Sequence, residues 1–304
     1  MKKPFYKRIW FILLVVFSIS IGGVVFYISY HFSNIIEDNL RSALIANPNR
    51  KYNVEFEKVK LEVIARSIAI NGIEISPNQP ILDSLNNEGV HQSIIAKLRV
   101  KNIHLNNIDL QKLISEQQIS LEKILIRNPV ISIDFTGYKK EVKDTITPIE
   151  ALKHIAEEIH DLSVHSIEVK NASIGIRNLS KDSSEVVSIK KVSLKLDEFQ
   201  MDTTKELIPI DLSAAELKIG SIEIKSAPNH NITLNNLITS FADSSITIGS
   251  ANIIPTKSKE QFSSALVYEK TWLKIKTGRI KVSGIALNNF LFNEVLSIDR
   301  IDVY

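Results

Sequence analysis

The apolar positions of this chain follow a rhythm that fits neither regular element. In "AKLRVKNIHLNNIDL", residues 96–110, they fall at Leu98, Val100, Ile103, Leu105, Ile108 and Leu110, at steps of two, three, two, three and two. A plain strand keeps a period of two and a helix one of 3.6. The rhythm recurs. "SIAINGIEI" carries Ile68, Ile70, Ile73 and Ile75. "ISLEKILI" carries Ile119, Leu121, Ile124 and Ile126. "ELKIGSIEI" carries Leu217, Ile219, Ile222 and Ile224, and "RIKVSGIAL" carries Ile280, Val282, Ile285 and Leu287. Looser copies are "VEFEKVKLEV", "SIEVKNASIGI", "SIKKVSLKL" and "SITIGSANII".

An odd step in a strand moves every later side chain to the other face. A β-bulge repairs this, because two residues then oppose one. A two-residue hairpin is the alternative, with Asn71-Gly72 as a good signal. Both keep the apolar residues on one side, and bulged, strongly bent strands are the expectation for most copies. The other face is polar, with Arg99, Lys101, His104, Lys218, Glu223 and Lys281. The fold class is therefore mainly β: a long, bent, mostly antiparallel sheet of some twelve strands, with a few short helices. At about 4.8 Å per strand it would reach about 58 Å. Its apolar face must close as a packed sandwich or barrel, or remain an open groove. Periodicity does not separate these, although a body rich in Ile, Leu and Val with two Trp in the whole chain suits a groove.

"TPIEALKHIAEEIHDL", 147–162, breaks the pattern. Thr147 and Glu150 form a capping box, Pro148 takes the first helical position, and Ile149, Leu152, Ile155, Ile159 and Leu162 make a helical stripe. This predicts a helical insert over 147–162, too short to cover the sheet.

The N-terminus is different again. Residues 9–30, "IWFILLVVFSISIGGVVFYISY", hold no charge, and as a helix would reach about 33 Å against a bilayer core of roughly 30 Å. Ile9, Trp10, Tyr27 and Tyr30 lie near its two ends, as membrane-interface residues do. A cleaved signal peptide would have a shorter core and small residues before the cut, and "YISYHFS" offers none. A buried soluble helix is disfavoured by large apolar residues on every face. Four of the positive charges, Lys2, Lys3, Lys7 and Arg8, precede this run. The net charge is +3, so the rest of the chain is at −1. That leaves no electrostatic case for nucleic acid. The positive-inside rule keeps the N-terminus in the cytoplasm and exports the body. The organisation read from sequence is a basic tail (1–8), a transmembrane anchor (9–30), a juxtamembrane helix or connector (31–50) capped by Ser33 or Asn34 and ended by Pro48, and a repetitive β-groove domain (51–304).

The longer segments 103–133 and 285–304 also repeat: "IHLNN" matches "IALNN", and "SLEKILI" matches "SIDRIDV". Each reads as strand, short helical turn, strand. In the first copy the strand continues into "RNPVISI"; the second reaches Tyr304 without a capping segment. Repeat arrays need such caps, so the expectation is a fragment of a longer protein, or a last strand that pairs with another chain.

An anchor followed by units such as "VKLEVIARSIAINGIEISP" (59–77) and "DLQKLISEQQISLEKILIRNPVISI" resembles the AsmA-like proteins of Gram-negative envelopes. The resemblance implies an inner-membrane anchor, a periplasmic groove-shaped β-sheet akin to that of chorein-type bridge proteins, and membrane phospholipid as the partner. It implies no catalytic residues. The groove candidates are Ile68, Ile70, Ile73, Ile75, Leu98, Val100, Ile103, Leu105, Ile124, Ile126, Leu217, Ile219, Ile222, Ile224, Ile280, Val282, Ile285 and Leu287.

Other chemistry is sparse. There is no cysteine, which excludes disulfides, thiolate metal sites and a cysteine nucleophile. Nucleotide-binding, hydrolase and zinc-protease motifs are absent. "HIAEEIHDLSVH" brings His154, Glu157, Glu158, His160, Asp161 and His165 close in sequence, but the solvated face of an amphipathic helix explains it better than a metal site. His91 and His104 read as surface residues. "NAS", "NLS" and "NIT" fit the glycosylation sequon, which matters only in a eukaryotic secretory protein. No cofactor and no enzymatic activity are expected. The rival to lipid binding is a non-enzymatic envelope scaffold that uses its C-terminal edge strand, for instance in outer-membrane protein assembly.

Overall fold

The computed structural model describes residues 5–45, 51–109, 119–137, 162–180, 185–197, 214–225, 230–264, 272–286 and 295–304, with side chains of the first segment from Ser18 to Ser42. It opens with one continuous helix, α1 (Phe5–Ile45). At 1.5 Å per residue its 41 residues extend about 62 Å, twice what a bilayer core needs. The expected break into anchor and connector is absent. Ser33 does not cap a second helix, because its hydroxyl donates to the Ser29 carbonyl within the same one. Pro48 lies outside the described residues.

Fourteen strands follow among the described residues, all in a single sheet. They are β1 (Tyr52–Glu55), β2 (Lys58–Glu62), β3 (Ser67–Pro77), β4 (Ile94–Ile108), β5 (Ile119–Arg127), β6 (Val130–Phe135), β7 (Leu162–Asn178), β8 (Glu185–Asp197), β9 (Ala215–Ile224), β10 (His230–Ser240), β11 (Ser245–Pro255), β12 (Ile275–Thr277), β13 (Ile280–Ser283) and β14 (Arg300–Val303). The order is β1-β3-β4-β5-β7-β8-β9-β10-β11-β13-β14, with β2 continuing β1, β6 continuing β5 and β12 continuing β13 in line. Every pair is antiparallel except β5 and β6 against β7. Among the described residues two short helices, α2 (Gln79–Asn87) and α3 (Lys259–Ser264), sit in connections and bury Leu82 and Phe262. Of the expected insert over 147–162, residues to 161 lie outside the described ones, and Leu162 opens β7 instead of closing a helix. The turn expected near 110–118 also lies outside.

The odd step has a different cause from the one the sequence led us to expect. Among the described pairs only β7–β8 shows register shifts. Elsewhere the pairing runs through the step without an extra residue: Ile70↔Ile103 and Ile73↔Val100 belong to one unbroken register. Asn71-Gly72 is inside β3, not in a hairpin. Both partners take the step at the same level, so neither needs a bulge.

Following the register across the sheet places Gly72, Lys101, Asn128, Asn171, Lys191, Gly220, Asn236, Gly249 and Arg279 in one line. Gly72, Asn128, Asn171, Lys191 and Asn236 have φ between +49° and +61°. A left-handed residue turns the chain out of its regular pleat, so alternation restarts on the same face. Gly and Asn accept that conformation most readily. Lys101, Gly220 and Gly249 each lie beside a left-handed neighbour. A Cβ on Gly220 would sit 2.8 Å from the Lys191 Cβ, and one on Gly249 would sit 3.0 Å from the Asn236 Cβ. The line is a crease running the length of the sheet. A second, shorter crease lies near one rim. There Asn107 (φ +51°) precedes buried Ile108, whose N–H donates to the carbonyl of Arg66 (φ +48°), and Gly284 (φ +69°) precedes buried Ile285, whose N–H donates to the carbonyl of Ser244 (φ +47°). This is the second odd step of the opening stretch.

Candidate binding trough

The creases fold the sheet toward its apolar face. Beyond the second crease Ile108, Leu121 and Val164 form a buried cluster against Ile68, Leu105, Ile124, Ile167 and Leu196. On one arm a continuous row crosses ten strands: Ile70, Ile103, Ile126, Val169, Leu194, Leu217, Thr239, Ile246, Val282 and Ile301. At about 4.8 Å per strand it extends about 43 Å. On the other arm Ile75, Leu98, Ile131, Ile174, Ile189, Ile222, Leu234, Ala251 and Thr277 form a second row. Neither row contains a charged residue.

These side chains are not packed away. Of the residues predicted for the groove, Val100 and Ile285 are buried, at 4 % and 2 % exposure. Ile68, Ile70, Ile73, Ile75, Leu98, Ile103, Leu105, Ile124, Ile126, Leu217, Ile219, Ile222, Ile224, Ile280 and Val282 are half-buried. Leu287 lies outside the described residues. A sandwich core would bury most of them against a second sheet, and all the described strands belong to one. Half-exposure is what side chains packed only by neighbours in their own sheet retain. The arrangement is a bent, one-layer trough. The looser copies contribute as much lining as the strict ones: Val169, Ile174, Ile189, Leu194 and Ile246 share these rows. Their odd steps, at Asn171 and Lys191, carried the signal, although small residues such as Ala172 blur the pattern.

The outer face is charged, and its charges are paired both along and across strands. Glu168 accepts from Lys123 at 2.6 Å and from Lys170 at 3.2 Å. Those ammonium groups, Lys123 first, hold its carboxyl below the usual glutamate range despite its partial desolvation. Lys195 and Ser166 do the same for Asp197, which depresses its pKa. Asp134, 5 % exposed, receives two 2.7 Å bonds from the Arg177 guanidinium.

No group of His, Asp and Glu suited to a metal ion occurs among the described residues. His165 is an exposed residue of β7 and exposed His91 contacts Asn86, but His104, expected at the surface, is half-buried on β4 between buried Ala69 and Leu125, with its Nε2 shut off from solvent. His154, Glu157, Glu158, His160 and Asp161 lie outside the described residues.

At one end α1 meets the sheet. Its segment Ser18–Ser42 is long and apolar enough to cross a membrane. Tyr27 and Tyr30 are exposed on it, as are Ile19 and Phe26. Ile9 and Trp10 belong to the same helix, N-terminal to the described side chains. No known protein family matches this chain, and no curated protein is significantly similar to it.

Proposed function

We propose that α1 anchors the protein in a bilayer and that the trough binds or conducts phospholipid acyl chains along its length. The supporting observation is the pair of uncharged, largely aliphatic rows, most of whose side chains are left half-exposed on the inner face. In water such a surface is costly. An acyl chain laid along it recovers about 0.8 kcal/mol per buried CH₂, while headgroups stay wet at the open side. The work is spread over many equivalent side chains, so no single residue is essential, and the reading needs no catalytic group or cofactor. The AsmA-like resemblance and the basic N-terminus favour an inner-membrane anchor with a cytoplasmic N-terminus and a periplasmic body, acting in envelope lipid homeostasis.

In-cell photocrosslinking tests it. A probe at Ile103 is expected to capture labelled phospholipid, while one at Lys101, exposed on the crease, is not. Only intramolecular crosslinks at Ile103 would refute lipid binding.

One observation favours a second reading, an envelope scaffold. The outer edge of β14 has no partner among the described strands, and Ile301 and Val303 on it, with Tyr304 just after it, are 58 %, 63 % and 72 % exposed. A bare edge of this kind invites another strand. Proline at Ile301 abolishing function while lipid capture at Ile103 persists would favour the scaffold.

A further inference from the structure

We propose that Ser33, Glu37 and Arg41 are positioning residues that lock the membrane helix to the first tier of the sheet, making the α1–β2 junction the place where acyl chains pass between bilayer and trough. This rests on the lipid-binding reading above. The three residues are spaced i, i+4, i+8 and so share one helix face. Each engages backbone of the edge. The Leu61 N–H donates to the Ser33 Oγ at 2.8 Å, and the Val59 N–H to a Glu37 carboxylate oxygen at 3.2 Å. Arg41 donates to the Phe56 carbonyl at 3.2 Å and to the Glu57 carbonyl at 3.4 Å. Its guanidinium also bonds Glu37 at 2.8 Å and lies over the Phe56 ring at 4.4 Å. Groups that an edge strand would otherwise offer to another chain are thereby satisfied by helix side chains.

The lock sets a distance. The uncharged run ends at Tyr30, and exposed apolar residues continue along α1 through Phe32 and Ile35 to Leu40. Ser33 follows Tyr30 by three residues, a rise of about 4.5 Å. Val59 and Leu61, held by the lock, pair with Ile70, which opens the first trough row on β3, and with Ile68, which packs beside that row against the Ile108 cluster. Apolar surface therefore continues from the membrane helix into the trough within about one helical turn, and a tail following it crosses little water. A loose tether would leave a wet gap of variable width.

The test uses the full chain in its membrane, with a photocrosslinking probe at Ile222, far along the trough. A triple variant, Ser33→Ala, Glu37→Ala and Arg41→Ala, removes the lock. Inserting Gly-Ser-Gly-Ser between His31 and Phe32 keeps the lock and loosens its link to the bilayer. Glu37→Gln preserves an acceptor for Val59. Lipid capture at Ile222 is expected to be lost in the triple variant and in the insertion, and kept with Glu37→Gln. Fluorescent phospholipid added to purified protein in detergent is expected to bind all of them alike. Wild-type capture by the triple variant or the insertion overturns the inference. So does loss of detergent-phase binding in the triple variant, since the residues would then support the trough itself. Absence of lipid at Ile222 in the wild type refutes the trough as a lipid site, and this inference with it.

Discussion

Lys191 is where the crease is most open to test. It is a lysine held at φ +56° in the middle of β8. The left-handed conformation costs a non-glycine residue roughly 1–2 kcal/mol. Lys191→Gly removes that cost and adds about 0.5–1 kcal/mol of backbone entropy, so it should stabilise slightly or leave stability unchanged. Lys191→Val forces a β-branched residue into the same conformation and should fall about 2–3 kcal/mol below the glycine variant. At about 2 °C per kcal/mol for a chain of this size, the two should melt about 4–6 °C apart by circular dichroism. Lys190→Val, one residue away at an exposed strand position without positive φ, should shift melting by less than about 1 °C. The crease also predicts coupling. Gly220→Ala places a methyl 2.8 Å from the Lys191 Cβ and 3.1 Å from its Cδ. The same change beside Lys191→Gly meets neither atom, so the pair should be non-additive by about 1 kcal/mol. Equal melting of the glycine and valine variants, or simple additivity with Gly220→Ala, would refute a crease built on left-handed residues.

Three further outcomes follow. Ile222→Asp should abolish lipid capture at neighbouring probes while lowering stability by no more than about 1–2 kcal/mol, because its site is half-open; Lys218→Asp on the outer face should leave capture intact. Stability should hold from pH 7 to about pH 5 and decline through and below the ordinary glutamate value of 4.5. Glu168 and Asp197 have depressed pKa values, so their contributions are present above the unfolded values and lost on protonation; Glu168→Gln should flatten the acid limb of the melting curve. Arg177→Met strands the buried Asp134 carboxylate and should cost about 2–4 kcal/mol in urea melts, whereas adding Asp134→Leu should restore part of it.

The apolar rhythm foretold one-sided strands and a bent sheet, because the spacing at Ile68–Ile70–Ile73–Ile75 is a local property of the chain. It did not foretell how the odd step is absorbed. A bulge and a shared crease give a single strand the same pattern; they differ only in whether the partner steps at the same level, which is a matter of pairing. The same limit hid α1's continuity. Ser33, Asn34 and Glu37 read locally as a helix start, yet Ser33 and Glu37 are committed to Leu61 and Val59, whose positions depend on the tertiary fold. Groove residues on β7 and β8 follow the rhythm only loosely, because the small Ala172 of β7 and the register shifts between these two strands dilute the signal. Open trough against closed sandwich was not legible in the periodicity, since both need one aliphatic face; only the composition leaned toward a groove.

Because every tier turns at the same level, the trough's cross-section and its length are separate properties. The hairpin β9–β10 enters on β8 and leaves to β11, and each of those strands carries its own copy of the step. Excising it would let β8 meet β11 antiparallel, with apolar residues still facing inward. The trough would shorten by about 10 Å and keep its bore. A scaffold of this kind can be lengthened or trimmed in two-strand increments, as a ruler is, without redesigning the surface that touches the ligand.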